Sequence, residues 1–217
     1  MTSSVPLRKR DAQATRARIL EAAQRAFSET GYSHTGIREI AALAGTSSTL
    51  LLRYFGSKAG LFEAALVAAV PVDTVLAHPR ERFGEGLAAS LLDPANEIRP
   101  PLMIALAAGD PEAAAIAARV MEERSIAPLA AWLGGSDGRA RALEIAMLAT
   151  GLATYARQLP LPEASPAERA HIAAWFAAAV QGSWTGASRK PQAGPQGGIS
   201  AHDRLAGVSH PLRRPRT

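Results

Sequence analysis

The chain has 217 residues, of which 47% are apolar and only 5% aromatic, so any core is built largely from Ala and Leu, a composition that favours packed helices over sheet. It contains no cysteine, which excludes disulfides and thiolate metal sites; no apolar run reaches the roughly 18 residues of a membrane span, so an all-α, cytoplasmic protein with no membrane partner is expected. The net charge of +5 is uneven: residues 1–60 carry nine Lys and Arg against four acids, residues 61–184 nine against fourteen, and residues 185–217 six against one, an acidic body between basic ends that suit a polyanion.

Residues 1–11 read as a flexible basic arm, with Arg8, Lys9 and Arg10 placed either to reach a groove or simply to be solvated. A first helix is expected from about Ala12 to Glu29, with Ile19, Ala23, Ala26 and Phe27 as its buried stripe. Gly31 marks its end. The next stretch, Thr35 to Lys58, organises the chain: two short helices joined by a tight turn, then the start of another. Ile37, Ile40, Ala41 and Ala44 recur at helical spacing, with Thr35 as N-cap. Gly45 supplies a left-handed stop, and Thr46 or Ser47 caps the following helix. Leu51, Tyr54 and Phe55 face inward from that helix. Consecutive residues point about 100° apart, so at least one of Leu50, Leu51 and Leu52 must face outward. Leu50 is the one assigned here, either toward a ligand surface or over the neighbouring helix. Elements this short need support from the helices before and after them.

Ser57 caps a fourth helix running from Lys58 to about Val70, whose inward face is Leu61, Phe62, Ala65, Leu66 and Ala69. Beyond Pro71, Ala-rich helices are expected at about 80–91, 98–108, 111–133, 138–158 and 166–182. Asp110 with Pro111, and Ser165 with Pro166 and Glu168, are sharp start signals. Leu143, Ala146, Met147, Thr150, Gly151 and Thr154 share one face of the penultimate helix. Ile172, Ala173, Phe176, Ala179 and Val180 share a face of the last. From residue 185 the composition turns to Gly, Pro, Ser and Arg without helical period, which predicts a disordered tail.

Gly31, Tyr32, Thr35, Ile37, Ile40, Ala41, Ala44, Gly45, Ser47, Leu51, Tyr54, Phe55, Ser57, Lys58 and Leu61 together resemble the signature of the TetR family of bacterial transcriptional regulators. Gly36, Thr46, Thr49 and Leu52 depart from it. The resemblance implies a helix-turn-helix DNA-binding domain at 12–60 and a helical ligand-binding and dimerisation domain at 61–184. A helix-turn-helix lays its second helix in the major groove with the N-terminal residues against base edges. Ser47, Ser48, Thr49 and Arg53 are therefore candidates for base contact, with Leu50 placed for a thymine methyl, and Arg53 is open between guanine and phosphate. Thr35, Gly36, Tyr54 and Lys58 carry over as phosphate contacts; Leu52 replaces a Tyr that usually bonds phosphate, and there the carry-over fails.

The same resemblance implies a homodimer on a palindromic double-stranded DNA operator, repression, and release by a small-molecule effector. Met103, Met121, Trp132, Met147 and Tyr155 are available to line its pocket, though each is equally core material. Leu143, Met147, Thr150, Gly151, Ile172, Phe176, Ala179 and Val180 would meet their copies in a four-helix bundle. The alternative keeps the helix-turn-helix and makes the large domain a dimerisation or protein-interaction module without a ligand. No cofactor, metal or catalysis is expected, because the five His share no metal-ligand or acid-base spacing.

Overall fold

The computed structural model describes residues 5–184 except 71, 98 and 161, and for residues 5–10, 157, 158 and 184 the backbone alone. The tail at 185–217, expected to be disordered, lies outside the described residues. Among the described residues the chain forms helices and no strand: α1 (Val5–His34), α2 (Ile37–Leu43), α3 (Ser48–Phe55), α4 (Lys58–Ala69), α5 (Val72–Leu76), α6 (Phe83–Leu92), α7 (Pro100–Ala107), α8 (Pro111–Met121), α9 (Ala127–Leu133), α10 (Gly138–Ala153) and α11 (Pro166–Trp184). The separate arm expected at 1–11 is corrected over residues 5–11, where the backbone is helical from Val5; residues 1–4 lie outside the described residues. Pro6 falls in the first turn, where a missing N–H leaves no bond unmade. At the other end the helical path breaks at Gly31, as its sequence position implies.

The start signals are realised as hydrogen bonds. Asp110 Oδ1 accepts the amides of Glu112 and Ala113. Ser165 and Glu168 bond each other's amides across the first turn of α11. The helix expected at 111–133 is one rod made of α8 and α9, widened between them into a π-helical turn at Glu122–Ile126 where the Ala127 amide reaches back to Glu122. Pro128 gives the cause. It has no N–H for the Arg124 carbonyl and its ring excludes that carbonyl from its usual place, so the preceding turn opens. Helix α5 has no counterpart among the expected helices: its five residues are too few to show a period, and Val75 and Leu76 pack only partly on the second of the two cores described below.

Two apolar cores lie along this rod. The first joins Ile19, Ala23 and Phe27 of α1, Ile40 of α2, Leu51 of α3 and Leu61, Phe62 and Leu66 of α4 to Met103 of α7 and Ala113, Ala117 and Val120 of α8. Phe27, Tyr32 and Phe62 meet at its centre with centroids 5.1–6.0 Å apart, each such side chain contributing about 1.5–3 kcal/mol by burial. The second core joins Phe83 and Leu87 of α6, Ile126, Leu129 and Leu133, Ile145 and Leu152 of α10, and Phe176 and Val180 of α11. The boundary drawn at residue 60 is therefore not a boundary between cores, since α4, α7 and α8 complete the core of the N-terminal helices. The stretch Lys58–Leu76 has a mean hydropathy of 1.7 over 19 residues, but Lys58, Glu63 and Asp73 interrupt it, so it is not a continuous apolar run. Within it Leu61, Phe62, Ala65 and Leu66 are buried in the first core.

Candidate nucleic-acid interface

The turn between α2 and α3 follows from local chemistry. The Thr46 amide reaches back to the Ala41 carbonyl at 2.9 Å while Gly45, at φ +60°, takes the left-handed conformation that closes the helix end. Ser47 then caps α3, its Oγ accepting the Leu50 amide at 3.1 Å. Thr35 is not the cap of α2. That position is Gly36, whose amide donates to Glu39 Oε2 at 3.4 Å. Thr35 is 1% exposed and its hydroxyl donates to the Gly31 carbonyl at 2.6 Å, so its side chain joins α1 to α2 and is not presented to a ligand.

Leu51 is fully buried and fixes the rotation of α3. Thr49 and Arg53 lie opposite it and are exposed, Ser47 is exposed at the cap, and Ser48 and Tyr54 are half-buried at the flanks. Among the described residues Arg53 forms no ion pair. The outward leucine is Leu52, 40% exposed, and not Leu50, which is half-buried. At the far end Ser57 caps α4, accepting the Gly60 amide at 3.0 Å. The ammonium of Lys58 sits 4.5 Å above the Tyr32 ring, on the side of the molecule where α8 begins. Arg16 of α1 spreads its guanidinium 5.4 Å over Phe55, which braces α3 against α1.

Behind this surface a polar cluster ties α1, α4 and α8 together. Tyr32 donates its hydroxyl to Glu112 Oε2 at 2.5 Å, and Ser33 donates to Asp110 Oδ2 at 3.0 Å. Arg119 holds both carboxylate oxygens of Glu63 at 2.8–2.9 Å. Burial first, and then the Glu112 carboxylate, push the Tyr32 phenol well above its ordinary value. Asp110 is held below the usual carboxylate range, mainly by the Ala113 amide it accepts. These pairs are far apart in sequence, and no local signal announces them.

The residues expected to line an effector pocket are not brought together. Met103 is buried in the first core, Trp132 packs on Phe83 of the second with a centroid separation of 4.8 Å, and Met147 and Tyr155 are 66% and 67% exposed. Met121 is half-buried at the end of α8. Trp132 is further claimed by Arg80, whose guanidinium lies 4.5 Å over the ring and bonds the Trp132 carbonyl at 2.6 Å. A groove of about 670 Å³ lies instead between α6 and α11, lined by Ala88, Leu92, Ala173 and Ala177 with Glu85 and Gln181 among its polar residues.

The face expected to meet a second copy is also corrected in part. Phe176 and Val180 are fully buried within the single chain, and Leu143 and Ile172 pack partly on the same core. Thr150, Gly151 and Ala179 are half-buried. Outward point Met147 of α10, Tyr155 of the π-helical turn Thr154–Gln158 that follows it, and Trp175 of α11 at 54% exposure. Helix α11 is apolar on two sides, and periodicity picked the side that faces α6.

Residues 19–65 match the family model described as bacterial regulatory proteins, tetR family, and residues 81–183 match that described as tetracyclin repressor-like, C-terminal domain. The probable HTH-type transcriptional regulator ArpR of Pseudomonas putida is 37% identical over 95 residues, 44% of this chain and 42% of that one. The HTH-type transcriptional regulator TtgR, also of Pseudomonas putida, is 45% identical over 58 residues, 27% of this chain and 28% of that one. The matched stretches thus span less than half the length of these curated relatives. The solved structure of Salmonella enterica GusR superposes with a TM-score of 0.59 at 19% identity, covering 85% of this chain and 98% of that one, a likeness that shows the fold alone.

Proposed function

The chain belongs to the tetR family of bacterial regulatory proteins, and from that premise we propose that it is a homodimeric repressor that binds a two-fold operator and leaves it when a small molecule binds. The outward face of α3 supports this reading most directly. Thr49 and Arg53 project from a helix whose rotation Leu51 fixes and whose start Ser47 caps, the arrangement that base readout in a major groove requires. Arg53 offers a bidentate contact to guanine, worth about 1–3 kcal/mol of discrimination. Tyr54 serves a phosphate at the rim, Lys58 reaches one by swinging off the Tyr32 ring on which it rests, and Thr35 and Gly36 contribute through backbone alone. An effector that prefers the released conformation about 100-fold supplies roughly 2.7 kcal/mol of coupling, enough to empty a marginally occupied operator.

The test is binding of the purified protein to DNA from immediately upstream of its own gene, over a series of salt concentrations and against scrambled DNA. A selective complex that weakens steeply with salt and protects two half-sites is expected. Arg53→Ala with Lys58→Ala is expected to abolish selectivity at unchanged helix content. Wild-type binding that does not distinguish the two DNAs, there or at other promoters, counts against the reading.

One observation favours a second reading, in which the large domain dimerises without a ligand: the five residues available for a pocket are scattered between two cores and the surface. Thermal denaturation against a compound library separates the two, because a ligand of the folded state raises the melting temperature.

A further inference from the structure

Leu52 is the large apolar side chain that α3 exposes, and it stands on the face that the proposed regulator turns to DNA. Its orientation is not free. Leu51 is fully buried, Ser47 anchors the first turn, and the Gly56 amide bonds the Leu52 carbonyl at 2.7 Å, so the helix cannot rotate to hide it. Ser48 and Thr49, four and three residues earlier, are its neighbours on the helix surface. The Tyr that usually stands at this position bonds phosphate through its hydroxyl, which Leu52 lacks; helical side chains lean toward the N-terminus, which carries Leu52 over Ser48 and Thr49 and toward the half of the helix that meets base edges.

A leucine pressed into a major groove removes water from whatever base edge it covers and returns no hydrogen bond. Over a cytosine amino group or a guanine carbonyl that loss is uncompensated. The C5 methyl of thymine is the apolar group the major groove displays. Resting on the reading that the chain binds duplex DNA through α3, we infer that Leu52 reads a thymine methyl and fixes an A·T pair at one position of each half-site. Leu50, half-buried on the other flank, does not carry that role.

Replacing thymine by deoxyuridine removes the methyl and leaves every hydrogen-bonding group of the pair. Each thymine of the operator half-site is replaced in turn, and binding of the wild type, Leu52→Ala and Leu52→Met is measured. The wild type is expected to lose about 4-fold in affinity at one thymine, and about 15-fold when both half-sites are replaced, as burial of one methyl predicts. Leu52→Met keeps an apolar contact and retains the preference. Leu52→Ala binds thymine and uracil operators equally, and because the side chain is exposed its melting curve stays close to that of the wild type. Selective binding with no uracil-sensitive thymine overturns the inference alone, as does a sensitivity that survives in Leu52→Ala. Absence of selective binding by the wild type to any promoter overturns both the inference and the reading beneath it.

Discussion

Gly60 shows how a single residue controls the candidate interface. A Cβ built there would lie 2.3 Å from the Phe55 carbonyl oxygen, and that oxygen belongs to backbone and cannot swing aside. Gly60→Ala is therefore expected to push the end of α3 away from α4. Overpacking of this kind costs about 1–3 kcal/mol, readable by urea denaturation, and the displaced helix is expected to lose operator affinity as well. Unchanged stability and binding would mean that the α3–α4 turn adapts without moving α3. Sequence reading succeeds at this scale where the chemistry is local. Gly45, Ser47, Ser57, Asp110 and Ser165 all do what residue type and spacing imply. It fails where burial decides: Thr35 became an interior strut and Leu52, not Leu50, turned outward, because rotation about a helix axis is set by the neighbours it packs on.

At the scale of elements, α8 is where the candidate DNA-binding helices join the rest of the chain. Its cap Asp110 bonds Ser33, its first-turn Glu112 holds Tyr32, and its Arg119 grips Glu63 of α4. The Asp110 carboxyl is held below its ordinary range by the Ala113 amide first, and also by the Ser33 hydroxyl, the Glu112 amide and the nearby Lys58. A depressed folded value means that the unfolded chain takes up the proton first as pH falls. The charge therefore adds stability that is complete above the ordinary carboxylate range, about pH 4, and is lost as pH drops through the lowered value. Asp110→Asn keeps a capping side chain but removes the charge. Thermal melts across pH are expected to show the wild type more stable than the variant near neutrality, with the difference closing in acid. A difference independent of pH would assign the role of Asp110 to geometry and not to charge. The helices themselves were largely legible, since Pro, Gly and capping residues punctuate them. The links between them were not: Tyr32 and Glu112 stand 80 residues apart, and the π turn reflects a Pro128 whose helix had to continue for the sake of the second core.

At the scale of the molecule, the outward faces of α10 and α11 carry the proposed dimer. Ser183 of α11 donates to Glu144 of α10 at 3.1 Å, which ties the two helices to each other. Met147, Tyr155 and Trp175 are exposed apolar side chains, and the proposed interface is expected to cover them. A two-fold interface uses each such residue twice, so one substitution removes two contacts. Trp175→Glu forfeits an apolar burial of about 2–3 kcal/mol on each side, which is on the order of a thousandfold to ten-thousandfold in the dimer dissociation constant. Because Trp175 is 54% exposed in the single chain, the fold itself is expected to survive, with helix content by circular dichroism unchanged. Sedimentation equilibrium is the deciding measurement. Dissociation into folded monomers, with operator binding reduced to that of isolated half-sites, would tie Trp175 to two-fold recognition. A variant that stays dimeric would move the interface off α11, and a wild type that is monomeric at micromolar concentration would remove the two-fold operator from the account while leaving α3 as the reading helix.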